Sequence, residues 1–176
     1  MSYSTQNDLL LNNLIKFYEK NNNLQQMLEI INGESKISLR IVDWFATNYA
    51  KKYFTVYTLV ESDIRFKVYV DYKLKLKAYS KKRFDPFCRW ERITIPYKNG
   101  QRIQTTIGQL NFFKWALEND VIKFIKENYE DIENDMNSYS KVNQSTQAIP
   151  KLSCTVNQPN ATTLIEGDTT KKKKGK

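Results

Sequence analysis

The chain has 176 residues, with 28 Lys and Arg against 19 Asp and Glu, two Cys and no His. Hydrophobic residues make up 40% and aromatic residues 13%, which is enough for a globular core and excludes a wholly disordered chain. The lack of histidine excludes imidazole-based nucleophiles, imidazole general bases and Cys/His zinc sites. Carboxylate-based, Lys-based and magnesium-dependent chemistry remain open, with an enzyme of that kind as the most distant alternative. We expect a non-enzymatic protein with no catalytic residue, no metal and no cofactor.

The sequence also lacks signals for a membrane or for secretion. It contains no run of 18 apolar residues, and its N-terminus has no cationic start followed by an apolar run. Cys88 and Cys154 lie far apart and match neither a disulfide framework nor a metal-ligand spacing. These observations predict a soluble protein in a reducing, intracellular compartment.

Positive charge is concentrated in the middle of the chain. Residues 51–102 hold 14 Lys and Arg against five Asp and Glu, whereas residues 103–139 hold three against seven. A second basic cluster closes the chain at Lys171, Lys172, Lys173 and Lys174. An asymmetry of this kind indicates an anionic partner and says little about the fold.

Helical spacing of apolar residues predicts three helices before residue 52. The first is interrupted at residues 21–23, which are all Asn, and the second ends at Asn32-Gly33. The third begins near Ser35 or Ser38, either of which can cap it.

The hydrophobic period then changes from about 3.6 to 2, which is typical of strands. Residues 53–59 are predicted as a strand, residues 61–63 as a turn and residues 65–79 as a half-buried strand. In that second strand one face is apolar and the other carries the cations. The apolar face consists of Phe66, Val68, Val70, Tyr72, Leu74, Leu76 and Ala78.

The second half of the chain is predicted to contain a basic loop, a hairpin and two helices. Residues 80–87 form the loop, and residues 91–97 and 101–105 flank Asn99-Gly100, a sequence that favours a tight hairpin turn. Thr105 or Thr106 caps a helix, and a break at Asn119-Asp120 separates it from a second helix.

Together these elements predict one globular α+β domain over residues 1–139, in which residues 1–35 form peripheral helices. N-terminal helices, a central antiparallel sheet with a β-hairpin and two C-terminal helices packed on that sheet make up the fold. Residues 140–176 are predicted to be a disordered tail that ends in lysines. The expected core contains Trp44, Phe66, Val68, Val70, Leu74, Leu76, Leu110, Phe113, Ile125 and Tyr129.

Three runs of the sequence carry a family resemblance: residues 39–45 (LRIVDWF), 79–89 (YSKKRFDPFCR) and 105–116 (TTIGQLNFFKWA). Through them the middle hundred residues, about 38–137, resemble an uncharacterised family of small basic proteins of large nucleocytoplasmic DNA viruses, the giant viruses. The resemblance implies a viral setting, including packaging in the virus particle, and transfers no catalytic residue.

The basic middle is the main candidate site, as a surface for DNA or RNA. On a strand, alternate lysines would stand about 6.6 Å apart, close to the phosphate spacing of a single nucleic-acid strand, and tyrosines among them could stack on bases. An alternative is that these lysines only keep an edge strand from pairing with other chains. The predicted nucleic-acid-binding residues are Arg65, Lys67, Tyr69, Lys73, Lys75, Lys77, Tyr79, Lys81, Lys82, Arg83, Arg89 and Arg92, with Lys171, Lys172, Lys173 and Lys174 as a tether.

Other candidate sites have simpler interpretations. Cys88 is expected to be a buried structural thiol beside Phe84, Phe87 and Trp90, and Gly108 belongs to no phosphate-binding glycine pattern. A winged helix-turn-helix would need basic or amide side chains where Asp43 and Trp44 stand.

The sequence therefore predicts sequence-independent nucleic-acid binding by an accessory or virion-packaged viral protein, in the virion and the infected-cell cytoplasm, with the lysine tail as a route into the nucleus. The alternative is a structural or adaptor protein of the virus particle that binds viral proteins.

Overall fold

The computed structural model describes residues 6–90, 92–97 and 100–146, with side chains described between residues 9 and 140 of these ranges. Residues 141–146 are described as helical backbone. In chain order, the helices and strands are α1 (Gln6–Tyr18), α2 (Asn23–Ile31), α3 (Leu39–Trp44), a π-helical turn (Phe45–Tyr49), α4 (Ala50–Lys52), β1 (Val56–Thr58), β2 (Arg65–Lys67), α5 (Val68–Tyr79), α6 (Lys81–Phe84), β3 (Arg92–Pro96), β4 (Arg102–Thr106), α7 (Ile107–Glu118), α8 (Val121–Glu127) and α9 (Tyr129–Thr146).

The N-terminal helices begin and end where the sequence predicts. Asn21 and Asn22 adopt positive φ angles of 51° and 56° and separate α1 from α2, a conformation that asparagine tolerates better than most residues. Ser38 caps α3, because its side chain accepts a hydrogen bond from the backbone N–H of Ile41 at 3.3 Å. α3 then continues through the π-helical turn into α4 without a break.

The strands form two separate two-stranded antiparallel sheets, where the sequence predicted one central sheet. β1 pairs with β2, with Val56 opposite Lys67 and Thr58 opposite Arg65. β3 pairs with β4 as the predicted hairpin, with Ile95 opposite Ile103. The α+β class, the N-terminal helices and the C-terminal helices are confirmed.

The predicted strand over residues 65–79 is wrong beyond residue 67. Val68 begins the helix α5, so the side chains that point inward are spaced by about four residues and not by two. Val68 and Tyr72 are buried, whereas Val70 and Leu74, both expected in the core, are 53% and 59% exposed. Leu, Lys and Ala are good helix formers, and Asp71 in the first turn and Lys77 in the last favour the helix dipole.

Helix α7 lies at the centre of the core. Leu110, Phe112, Phe113 and Ala116 are fully buried along it, and Trp115 is nearly so. The hydroxyl of Tyr18 donates to the carbonyl of Leu110 at 2.5 Å, which ties α1 to α7. Of the predicted core, Phe66, Val68, Leu110, Phe113 and Ile125 are buried, whereas Trp44, Leu76 and Tyr129 are partly buried.

The C-terminal part contains three helices where two were predicted. Asp120, with a φ of 54°, separates α7 from α8, and Asn128 separates α8 from α9. α9 packs Ile132 and Met136 inward and runs to Thr146, beyond the predicted domain boundary at residue 139. The remainder of the predicted tail lies outside the described residues. Among the described helices, none combines the length and the apolar character that crossing a membrane requires.

Candidate nucleic-acid interface

The cationic residues that were predicted to line one face of a strand do not share a face, because some of them lie on a strand and others on a helix. Arg65 and Lys67 are exposed on β2. On α5, Lys73 and Lys77 are one turn apart and share an open face with Tyr69, but Lys75 lies about 200° around the helix from Lys73 and is partly buried. The regular spacing of about 6.6 Å that suggested phosphate matching is therefore lost.

The other predicted residues of the basic middle lie on one short stretch of chain, the aromatic-basic segment, which we define as residues 79–92 apart from Glu91. Phe84 anchors this segment, because its ring is fully buried and packs edge-on against Phe112 and Trp115 at centroid distances of 5.8 and 5.9 Å. Tyr79 stacks on the same Phe84 ring at 5.7 Å, with the planes only 7° apart.

Around this anchor, large aromatic rings are exposed among cations. Tyr79, Phe87 and Trp90 are 38%, 53% and 56% exposed. The expectation that Phe87 and Trp90 would bury Cys88 is wrong, and Cys88 itself is half-buried. The cations of the segment are Lys81, Lys82, Arg83, Arg89 and Arg92, all of them exposed except Arg83, which is partly buried.

Local contacts hold the segment in its conformation. The Asp85 carboxylate accepts a hydrogen bond from the backbone N–H of Phe87 at 2.9 Å and lies 3.9 Å from the Lys81 ammonium group. The Lys82 ammonium lies over the Trp90 ring, 4.5 Å from its centroid, a cation–π contact that fixes an otherwise mobile side chain. These contacts favour one conformation of the segment and of the Lys82 and Trp90 side chains.

A groove of about 460 Å³ adjoins this segment, and we refer to it as the α1–α7 groove. Tyr79, Arg83 and Arg92 are among its lining residues, so three predicted site residues meet there. Lys114 of α7, which was not among the predicted site residues, also lines it. The walls are mainly apolar and comprise Leu10, Leu11, Leu14, Ile93 and Ile107.

Acidic side chains close to the aromatic-basic segment affect its local charge. The pKa of Asp43 is raised to about 6, mainly by burial and also by the charge of Asp85, while Lys81 opposes the shift. Burial also raises the pKa of Tyr72 to about 12, with contributions from Asp43 and Asp85. A neutral fraction of Asp43 below pH 6 would make this region more positive.

The acidic helix α9 neutralises a different lysine from those predicted. The Asp135 carboxylate is paired with Lys52 and accepts hydrogen bonds from the Trp44 indole at 3.0 Å and the Tyr53 hydroxyl at 3.1 Å. Burial raises the pKa of Asp135, but these three donors outweigh it and lower the pKa overall. No ion pair between α9 and the aromatic-basic segment occurs among the described residues.

The cations of the segment and Tyr79 were predicted as site residues from the sequence, whereas the exposed rings of Phe87 and Trp90 were not. Between residues 79 and 92, aromatic and basic residues interleave without a regular period, which is typical of a surface that binds single strands. The groove could not have been recognised in this way, because α1, β3 and α7 meet only in the tertiary structure. Lys171, Lys172, Lys173 and Lys174 lie outside the described residues.

No cluster of three or more metal-binding side chains occurs in the part of the chain that the structure describes. Gly108 has a structural role there. A Cβ on it would lie 2.6 Å from the backbone oxygen of Asp85, so only glycine lets the aromatic-basic segment approach the start of α7 so closely.

Comparison with known proteins supplies the family. The profile of a family of unknown function, DUF7197, matches residues 3–172, which is nearly the whole chain. The chain belongs to this family. The match extends well beyond the middle hundred residues on which the resemblance was based.

A viral protein is also similar to this chain. The "Uncharacterized protein L507" of Acanthamoeba polyphaga mimivirus is 44% identical over 125 residues, which cover 67% of this chain and 48% of that protein. The chain thus spans about half the length of this relative. The resemblance to an uncharacterised giant-virus family is confirmed, whereas small size and basic charge as traits of that family stay predictions. No solved structure matches the chain.

Proposed function

We propose that the protein binds nucleic acid without reading its sequence, through the aromatic-basic segment, as a non-enzymatic accessory or virion-packaged viral protein. The observation that carries the proposal is the exposure of Tyr79, Phe87 and Trp90 beside five Lys and Arg residues on one anchored segment. Aromatic rings exposed beside cations are a feature of proteins that bind single-stranded nucleic acid.

The positive charge supplies affinity for phosphates and makes that affinity depend on salt. Cations that contact phosphates release counterions, so binding weakens as the salt concentration rises. If all five cations of the segment contact phosphates of a single strand, affinity should fall roughly a hundredfold between 50 and 200 mM salt. Because the charge of phosphates is the same at every position, this term is independent of base sequence.

The exposed rings supply a second term that charge alone lacks. Stacking of a base on an aromatic side chain contributes about 1–3 kcal/mol and tolerates every base, since each has a π-face. The cation–π contact between Lys82 and Trp90 holds one such ring in place before a ligand arrives, which lowers the entropy lost on binding.

The C-terminal lysines are proposed as a tether. Lys171, Lys172, Lys173 and Lys174 would raise the local concentration of phosphate near the segment without contributing a shaped site. The proposal also implies a location in the virion and the infected-cell cytoplasm, with the same lysines as a nuclear address.

The proposal is tested by fluorescence anisotropy with a labelled 20-nucleotide single strand, its RNA counterpart and a duplex, each at 50 and 200 mM salt. The double variant Lys82→Glu/Arg89→Glu reverses two exposed charges of the segment. The matched control Lys16→Glu/Lys20→Glu reverses two exposed charges on or beside α1. We expect a loss of at least tenfold for the first pair and less than threefold for the second.

Two results would overturn this function. One is a wild-type chain that binds none of these nucleic acids at 50 mM salt. The other is an equal loss for the two double variants, because this would mean that only net charge matters. A third pair, Lys73→Glu/Lys77→Glu, measures the contribution of the lysine face of α5 on the same scale.

A second candidate function is an adaptor for protein partners in the virus particle. It is favoured by exposed apolar side chains outside the segment: Phe54 is 85% exposed, and Val60, Ile64, Val70 and Leu74 are also exposed. Lys73 and Lys77 adjoin Val70 and Leu74 on α5, so a partner with an acidic and apolar surface would fit there.

Incorporation of the protein into virus particles distinguishes the two proposed functions. Val70→Gln/Leu74→Gln should abolish incorporation into virus particles if the adaptor role is correct, while Lys82→Glu/Arg89→Glu should leave incorporation intact. The opposite pattern, with incorporation lost only in the charge variant, favours nucleic acid.

A further inference from the structure

We infer that the α1–α7 groove accepts one unpaired nucleotide, so that the ligand of this protein is a single strand and not a duplex. The inference rests on the proposed function and deepens it. It depends on three features of the groove: a stacking ring, apolar walls and a cation at the rim.

The stacking ring is Tyr79. One face of its ring stacks on the fully buried Phe84 ring, with the two ring planes nearly parallel and the ring centroids 5.7 Å apart. Phe84 is held in turn by the edge-on contacts with Phe112 and Trp115. Tyr79 lines the groove and is partly exposed, so it offers a base a ring whose position is already set by the core. Such preorganisation reduces the entropy lost on binding.

The apolar walls favour a base over a phosphate alone. Leu11 and Leu14 of α1 and Ile93 and Ile107 form the sides, and about 460 Å³ lies between them, which is within the usual range of about 300–1,000 Å³ for small-molecule sites. The faces of a base are apolar, but in a duplex they are covered by neighbouring base pairs. Only an unpaired base can place its faces against such walls.

Polar groups at the groove suit the remaining parts of a nucleotide. The buried Asn111 amide, held by donation to the Arg83 carbonyl at 2.9 Å, lies at the wall and can meet a base edge. Arg92 is exposed on β3 at the rim, and its guanidinium can bind a phosphate through two hydrogen bonds. Lys114 is less effective, because Glu118 pairs with it and it lies 4.8 Å from the Phe17 ring centroid.

The test compares a fluorescein-labelled dT20 strand, a blunt duplex of the same length and an abasic strand with the same number of phosphates. The full chain is measured as the wild type and with Tyr79→Ala, Tyr79→Phe and Leu10→Glu. Tyr79→Phe keeps the ring, and Leu10→Glu adds a negative charge at a wall position that is 49% exposed and should not disturb folding.

The wild type should bind dT20 at least tenfold more tightly than the duplex or the abasic strand. Tyr79→Ala should lower the affinity for dT20 roughly 5- to 150-fold, the range of one stacked base, and should leave the abasic strand unaffected. Tyr79→Phe should stay within twofold of the wild type. Leu10→Glu should weaken dT20 binding while circular dichroism stays unchanged, so the test stands even if Tyr79→Ala unfolds.

The negative outcomes are distinguishable. Absence of binding to every nucleic acid overturns the proposed function and this inference with it. Equal affinity for dT20 and duplex, with dT20 binding unaffected by Tyr79→Ala and Leu10→Glu, overturns the inference alone. Binding of a long-chain carboxylate such as decanoate that Leu10→Glu abolishes and dT20 does not compete would assign the groove to a lipid and also overturn it.

Discussion

The indole Nε1 of Trp115 donates a hydrogen bond to the Asp71 carboxylate at 2.7 Å. Trp115 is buried on α7, and Asp71 is in the first turn of α5. The bond forms only if residues 68–79 are helical with Asp71 turned toward the core. It therefore connects the helix that the sequence analysis predicted as a strand to the helix at the centre of the molecule.

Loss of this bond should destabilise the fold. Asp71→Ala leaves the buried Trp115 N–H without an acceptor, and we expect the free energy of unfolding to fall by about 1.5–3 kcal/mol. Asp71→Asn keeps an acceptor oxygen and should cost less. Urea unfolding followed by tryptophan fluorescence measures both, with the exposed Glu61→Ala as a control. Equal stability of Asp71→Ala and wild type would contradict the bond.

The helical face of α5 can be tested by substitutions that a strand and a helix would tolerate differently. Val70→Gln and Leu74→Gln should each change the free energy of unfolding by less than about 0.5 kcal/mol, since both side chains are exposed. Val68→Ala removes buried methyl groups and should cost about 1–3 kcal/mol. A strand with the predicted alternation would make all three substitutions costly. Thermal or urea unfolding distinguishes the two patterns.

Gly108 should be intolerant of the smallest side chain. In an open helix, replacing Gly by Ala stabilises by up to about 1 kcal/mol. Here the new Cβ would meet the Asp85 backbone oxygen at 2.6 Å, so Gly108→Ala should instead destabilise by about 1–3 kcal/mol. The sign of the change in the free energy of unfolding, measured with urea, distinguishes the two outcomes. A stabilised variant would show that α6 and its following loop do not approach α7 as described.

The charge of Asp43 should make stability depend on pH. Burial raises its pKa from 3.8 to about 6, so the folded state binds more protons than the unfolded state between these values. The contribution of Asp43 to the free energy of unfolding should therefore fall as the pH rises from about 4 to about 6, and stay reduced above pH 6. Asp43→Asn should be more stable than wild type at pH 7.5 by about 1–2 kcal/mol, allowing for partial solvent screening.

The difference between Asp43→Asn and wild type should disappear near pH 4, where the wild-type carboxyl is protonated as well. Urea unfolding at pH 4, 5, 6 and 7.5 measures this trend. Asp63→Asn, on an exposed turn, is the matched control and should leave stability nearly unchanged at each pH. A constant stability difference across the series would contradict the role of burial.

Local signals in the sequence were sufficient to predict helix ends and turns, because these depend on the residue type at one or two positions. The Asn21-Asn22 break, the Ser38 cap, the β3–β4 hairpin and the Thr106 cap follow from which residues adopt positive φ angles or accept backbone hydrogen bonds. The positive charge of residues 51–102 and the lack of histidine are likewise properties of composition, independent of the fold.

Tertiary structure alone decided the conformation of residues 68–79 and the position of the site. Their alternating Lys and apolar residues suit a strand by period, yet Val68, Tyr72 and Leu76 also share a helical face, so local sequence permits both. Burial of Val68 and Tyr72 and the bond from Trp115 to Asp71 favour the helix. The α1–α7 groove likewise depends on contacts between residues that are far apart in sequence. A local sequence pattern cannot predict such contacts, because their free energy arises only when the elements pack together.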